Sequence, residues 1–559
     1  MRVLSMVSVL VLLLAMAPSA AADKPESVEV QILAVNDFHG ALDPSLTKPG
    51  NTTDQTRWYY RGGAEYLANF VNSNAALNPN TVKVSAGDMV GATPLLSALF
   101  HDEPTVMAFN LMGWDLSNTG NHEYDEGWGE LLRLDVGGCH ILDGCYEGVP
   151  AFTGAEFDYL AANVIRLDTG ETLFPATAVR EFDGVKVGFI GIALETTPTI
   201  VVSSSVAGLE FQSEVEVINH YVKQLKDAEG LKAIVVILHD GAGPAANPNA
   251  CNASDPFFAN VIQGLDPEVD VVITGHTHNA YNCSVAVKKN FDPILVTSAG
   301  SNGRYLTSVN LTIAGTNGQV IERTATNIPV ETPYLGAVPD AAMKALLDQY
   351  RAASAPLANQ IIGSITADIT RTQNAAGESA LGDVITDAQL AATGPGYGEA
   401  VIAITNPGGI RVDLLYNQIS GGEAPGQVTF AEAFAVQPFS NSLVTMTLTG
   451  GQLKAVLEQQ WVANRILQVS ASLTYSYSAS APVGSKVTDL KVNGVPVDPA
   501  ATYRVTVNNY LAGGGDGFSV FTEGTNMLTG MIDLDAFVAY FETHSPVAPG
   551  PQNRITLLP

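Results

Sequence analysis

Basic residues are the scarcest feature of this chain. Its 559 residues hold 27 Lys and Arg against 56 Asp and Glu, a formal charge of −29, and no run of Lys or Arg stands out. A surface built to grip nucleic-acid polymers is thereby disfavoured, because that affinity rests on many cationic contacts. Cysteine is nearly absent too, at four residues with no Cys-x-x-Cys spacing. That excludes the usual thiolate zinc sites. No internal repeat or low-complexity tract occurs, and the 46% hydrophobic content argues against wholesale disorder. Beyond the first residues, no apolar run is long enough to span a bilayer.

The one long apolar run lies at the start. Arg2 precedes Val7 to Met16, then Ala17-Pro18-Ser19-Ala20-Ala21-Ala22. A charged start, a short apolar core and small residues read as an export signal, residues 1–22, cleaved after Ala22. The expected location is therefore secreted, periplasmic or cell-wall associated, with no membrane span after cleavage. Four cysteines suit an oxidising compartment. Two local disulfides, Cys139–Cys145 and Cys251–Cys283, are the favoured pairing among the three that four cysteines allow.

The length predicts two large domains. From residue 28 to 330, apolar runs at Val30–Val35, Val82–Ser85, Val187–Ile192, Ile234–Leu238 and Val269–Thr274 alternate with helical spacing, as at Glu65–Asn72 and Ser213–Ala228. Strands buried on both faces read this way, so a layered α/β domain follows. The pattern breaks at Pro333–Pro339, and a helix from Asp340 to Ala353, ended by Pro356, is expected as a connector. Beyond residue 360, helices at Ser379–Ala392 and Gly451–Trp461 mix with strands at Ser442–Leu448, Ser472–Tyr477 and Tyr503–Asn508, an α+β domain. The expected domains are 23–335, a linker helix 336–358, and 359–559.

Chemistry gathers where the N-terminal strands end. Asn36-Asp37-Phe38-His39, Gly87-Asp88, Gly120-Asn121-His122-Glu123, His239-Asp240 and His276-Thr277-His278 each follow or lie near an apolar run. In open α/β sheets that edge binds ligands. Carboxylate, imidazole and amide oxygen suit Zn, Mn, Co or Fe. One carboxylate can bridge two cations, and cations about 3.5–4 Å apart can clamp a phosphate and activate water. The x-spaced pairs Asp37/His39 and His276/His278 would share one face of an extended strand end. Each fragment alone is weak; five in series are not.

The series NDFHG, AGD, GNHEYD, ILHDG and GHTH resembles the 5′-nucleotidase and UDP-sugar hydrolase family of calcineurin-like metallophosphoesterases, over nearly the whole mature chain. The resemblance implies an N-terminal layered α/β-β-α catalytic domain and a C-terminal α+β substrate-binding domain. It implies two divalent ions, Zn, Mn or similar: one held by Asp37, His39, Asp88 and His278, the other by Asp88, Asn121, His239 and His276. It also implies a non-ligand pair in which His122 stabilises charge on the phosphate and Asp125 orients it; the alternative is that Asp125 only caps a helix.

In the C-terminal half the same resemblance assigns a nucleotide pocket. Phe439 and Tyr510 would sandwich a base, stacking being worth roughly 1–3 kcal/mol per base. Asn406 and Asp516 would hold the base edge or ribose. Arg411, joined more loosely by Arg371, would grip phosphate. Pro407 stands where the family usually has glycine, and Tyr510 where Phe is common. The expected activity is release of phosphate from nucleoside 5′-monophosphates. The alternatives are a 2′,3′-cyclic-nucleotide phosphodiesterase or a UDP-sugar/dinucleotide pyrophosphatase. Rivals outside the class are a non-catalytic binding protein and a thiohydrolase. A hinge in or just after the helix 340–356 is expected to close the two domains on substrate.

Overall fold

A computed structural model describes residues 25–47, 59–332 and 336–559. The expected export signal, residues 1–22, lies outside them.

Two six-stranded sheets pack face to face in the N-terminal half. The first runs Val320–Pro329, Tyr305–Ala314, Ser27–Val35, Thr81–Ser85, Leu116–Asn118, Asp158–Leu160. The second runs Ala280–Val285, Ile294–Ala299, Val271–Thr274, Ala233–Leu238, Val185–Ile192, Thr177–Phe182. Four adjacent strands of the first, from Ser27–Val35 to Asp158–Leu160, are parallel, as are the four central strands of the second. Alternate residues of a strand face opposite ways. Val30, Ile32, Val82 and Val84 thus meet Val187, Phe189, Val235 and Ile237 between the sheets. Leu33 and Val35 face a layer of helices outside the first sheet. Ile190, Ile234 and Val236 face helix Glu214–Glu229 outside the second. This is the layered α/β-β-α arrangement, and burial on both faces is why these strands read as unbroken Val/Ile runs.

The C-terminal half centres on a five-stranded sheet of Gln468–Val469, Ile402–Thr405, Thr502–Asn508, Ser442–Thr449 and Thr525–Ile532, beside a four-stranded sheet. Helices Ala380–Thr393 and Gly450–Gln459 flank it. Ser379 caps the first through Gly382 N–H, and Thr449 and Gln452 form a reciprocal cap on the second.

The connector helix differs from expectation. It spans Ala341–Ala358 and runs through Pro356. A proline in the last turn removes one bond near the frayed end, which costs less than in mid-helix. Nor is the helix a free linker. Met343, Leu347 and Tyr350 are fully buried, the first two in the N-terminal core beside Leu67, Val71 and Phe109. Each such side chain contributes about 1.5–3 kcal/mol by burial. Tyr350 packs edge-on to Phe100, and Arg351 reaches Asp43 at 2.5 Å and Glu65 at 2.6 Å. No described helix is long and apolar enough to cross a membrane.

Candidate active site

Three strand exits bring their residues together through backbone turns. Asp37 N–H donates to Gly87 O and His39 N–H to Asp88 O, at 3.0 and 2.9 Å. The strand has stopped at Val35, and Asp37 (φ 49°), His39 (φ 48°), Asp88 (φ 52°), His276 (φ 67°) and His278 (φ 59°) all lie in the left-handed region. The expectation that Asp37/His39 and His276/His278 pair by strand alternation is therefore corrected. Turns, not pleats, aim these side chains. Five non-glycine residues in a disfavoured region at one place cost free energy that the surrounding hydrogen bonds must offset.

Two donor sets result. Asp37, His39, Asp88 and His278 present one ligand atom each within 4.8 Å of one another, and so do Asp88, His239 and His276. Asp88 belongs to both. Its Oδ2 lies 3.0 Å from His239 Nε2 and 3.8 Å from His39 Nε2. Asn121 Oδ1 completes the second set, 3.2 Å from His239 Nε2 and 3.1 Å from His276 Nδ1. In the first, His39 Nε2 faces His278 Nε2 at 3.0 Å, and His278 Nε2 lies 3.4 Å from Asp37 Oδ1. The opposite ring nitrogens of His39 and His239 are held by Gly91 O at 2.9 Å and Ala86 O at 2.7 Å. Backbone acceptors placed this way fix the tautomer and orient an imidazole for metal.

The electrostatics fit cations. Burial drives His39 and His276 down to about 3, so their nitrogens stay neutral lone-pair donors. Burial also pushes Asp37 up to about 7, the mark of a carboxylate short of positive charge. Carboxylate, imidazole and amide oxygen donors without thiolate suit borderline divalent ions.

Beside these sets, a 3₁₀ turn at His122–Tyr124 places His122 Nδ1 2.8 Å from Asp125 Oδ2. Burial opposes charge on His122, but the Asp125 and Asp88 carboxylates together raise the imidazole above its ordinary value. Asp125 holds the C-cap position of that 3₁₀ turn, its N–H bonded to His122 O, and the next helix, starting at Trp128, has Gly127 as its own N-cap.

One residue without an expected role is central. Buried Glu123 accepts from Asp88 N–H at 2.9 Å, Met89 N–H at 2.8 Å and Gly120 N–H at 2.5 Å. It ties the Asp88 and Asn121 loops together. Its place inside GNHEYD was the only sequence signal. Asn36 does similar work, donating to Asp37 Oδ2 at 2.5 Å and Gly300 O at 2.6 Å.

From the C-terminal half, Phe439 and Arg411 reach the same centre. Phe439 stacks on His122, ring centroids 5.7 Å apart and 22° from parallel, and Arg411 Cζ lies 5.5 Å from the Phe439 ring centre. Arg411 donates to Gly408 O and Arg371 to Ile410 O, leaving most of each guanidinium fork for an anion. Burial, then the Arg371 charge, lowers Arg411. A second cluster holds Asn406, Tyr510 and Asp516. Asn406 Nδ2 donates to Asp516 Oδ2 at 3.3 Å, and Asp516 N–H donates to the Tyr510 hydroxyl at 2.8 Å. Arg465, unmarked by any motif, reaches Asp516 Oδ1 at 3.2 Å.

Comparison with known proteins gives this arrangement a family. Residues 30–280 match the model for calcineurin-like phosphoesterases, and 361–523 match the 5′-nucleotidase C-terminal domain. A cell wall protein of Listeria monocytogenes, Lmo0130, is 33% identical across 94% of this chain and 68% of its own length. The chain belongs to the 5′-nucleotidase family of calcineurin-like phosphoesterases. It is a metal-dependent phosphoester hydrolase of that family. The Bacillus subtilis endonuclease YhcR is 30% identical over 95% of this chain, which spans only 41% of that relative's length. Among solved structures, a 5′-nucleotidase precursor from Thermus thermophilus superposes with a TM-score of 0.76 at 26% identity, covering 95% of this chain and 99% of that one. Both disulfides of the family member are formed, Cys139–Cys145 and Cys251–Cys283.

Proposed function

We propose that this enzyme releases phosphate from nucleoside 5′-monophosphates in a secreted, periplasmic or cell-wall setting. The observation that carries the reading is the sharing of Asp88 by two donor sets directly below the His122–Asp125 pair. Two divalent cations of the zinc or manganese class, held by Asp37, His39, Asp88 and His278 and by Asp88, Asn121, His239 and His276, would supply positive charge and an acidified water. His122 Nε2, with Nδ1 fixed on Asp125, donates to a phosphate oxygen as charge builds. Arg411 and Arg371 hold the phosphate from the other side. Phe439 and Tyr510 provide faces for the base, and Asn406 and Asp516 its polar partners. The catalytic unit spans 23–335 and the substrate unit 359–559. With Met343 and Leu347 of the helix Ala341–Ala358 packed into the N-terminal core, we place the pivot between the units at the end of the helix, near Asn359–Gln360.

A substrate panel tests this: AMP, a 2′,3′-cyclic nucleotide, a UDP-sugar, a dinucleotide and a single-stranded oligonucleotide, each with wild type and Asp88→Asn. Phosphate release from AMP should dominate and fall with Asp88→Asn. Preferred cleavage of the cyclic nucleotide or the pyrophosphates would reassign the substrate. Cleavage of the oligonucleotide would bring the activity close to that named for the endonuclease relative.

A further inference from the structure

A second histidine–carboxylate cluster lies outside the active site. His101 occupies a left-handed turn (φ 47°) between helices Leu95–Ala98 and Glu103–Leu111. His140 sits in the loop closed by the Cys139–Cys145 disulfide, and that loop also carries Asp143. The two imidazoles stack at 3.6 Å between centroids, 23° from parallel. His101 Nδ1 lies 2.6 Å from Glu126 Oε2 and its Nε2 2.8 Å from Asp143 Oδ2. His140 Nε2 lies 3.9 Å from Glu130 Oε2. One ligand atom from each of His101, Glu126, Glu130 and His140 falls within 4.8 Å of the others.

Charge is out of balance here. Of the four carboxylates here, Glu103 and Glu130 pair with the guanidinium of Arg133 at 2.7 and 2.6 Å, while Glu126 and Asp143 have the His101 ring as their partner. Against burial, hydrogen bonds to Glu126 and Asp143 raise His101 to about 9, so one imidazole takes a proton, but a second proton on the stacked His140 ring would be repelled and the pair alone does not balance the carboxylates. A dication can. Two nitrogens and two carboxylate oxygens form a four-donor set suited to zinc, and imidazoles disfavour calcium and magnesium. Asp143, at 2.8 Å from one ring and 3.5 Å from the other, is placed to orient both.

We infer that His101, Glu126, Glu130 and His140 form a structural zinc site, separate from the catalytic donors, that pins the disulfide loop to the active-site scaffold. Its connections run both ways. Glu126 follows Asp125 directly in the chain. Asp102, next to His101, accepts from Gly91 N–H at 3.0 Å, and Gly91 O is the acceptor facing His39 Nδ1. An ion here would stiffen the two loops that aim His122 and His39. The competing account is a zinc-free network in which protonated His101 bridges Glu126 and Asp143.

The test is zinc content by mass spectrometry after chelation, reloading with zinc sulfate and gel filtration. The intact chain should hold one zinc more than His101→Gln/His140→Gln. The same difference of one should persist in an Asp88→Asn background, which separates this site from the catalytic centre. Equal zinc in the intact chain and the double variant overturns the site. If the double variant does not fold, Glu126→Gln, at a half-exposed position, serves instead. It should weaken uptake of that one zinc by at least about 10-fold, and unchanged uptake overturns the site equally.

Discussion

His122 and Phe439 lie ring against ring, 5.7 Å apart, one from each half of the chain. The group set to meet the phosphate thus touches the aromatic proposed to meet the base. Phosphate and base subsites share one wall, which only the packing of the two halves creates.

This contact makes Phe439→Ala informative. Loss of a stacked base should raise KM for AMP about 10-fold, within the roughly 1–3 kcal/mol of such stacking. If Phe439 merely buttresses His122, kcat falls while KM stays put. Steady-state kinetics on AMP distinguish the two.

Gly120 is the tightest backbone position in the centre. A Cβ there would press on Asp88 Oδ1, pass 2.6 Å from His239 Cε1 and come 2.7 Å from Asp88 N. Gly120→Ala should displace the shared carboxylate and lower kcat by about 100-fold, the scale of a 1 Å misplacement. Retained zinc or manganese stoichiometry with unchanged kcat would show that the loop yields freely.

Domain motion can be tested by a cross-link. A Cβ built on Gly513 lies 3.8 Å from Ser203 Oγ, across the interface between the halves. Ser203→Cys with Gly513→Cys puts a thiol on each side of this close approach, where a cross-link can be formed by oxidation. Oxidation of this pair should stop turnover of AMP, and mild dithiol should restore it while leaving wild type unchanged. Full activity in the cross-linked form would reject a closing motion as part of the cycle.

Buried Asp533, at the start of helix Asp533–His544, is raised to about 7 by burial, against hydrogen bonds from Asn441 Nδ2 and Leu534 N–H. The folded value lies above the ordinary 3.8, so the native state holds a proton that the unfolded chain has lost. Stability from this group is complete below about 4 and declines as pH rises through 7. The wild-type Tm should therefore fall between pH 5 and pH 8 relative to Asp533→Asn, whose side chain does not ionise. Parallel Tm curves would place the Asp533 carboxyl in contact with water.

The donor chemistry and the layers were legible in the sequence for local reasons. Val/Ile runs marked strands buried on both faces, because burial selects residues one at a time. Asp, His and Asn at strand exits marked a metal edge, because ligand chemistry is a property of each side chain. What only the tertiary structure decided depends on partners far apart in the chain. Left-handed turns at Asp37, His39, Asp88, His276 and His278, not strand alternation, aim the donors, since neighbouring loops impose those dihedrals. Glu123 has three N–H partners because two separate loops meet over it. Arg465 faces Asp516, His101 stacks on His140, and the connector helix joins the N-terminal core. Each follows from long-range packing, which no local pattern of residues encodes.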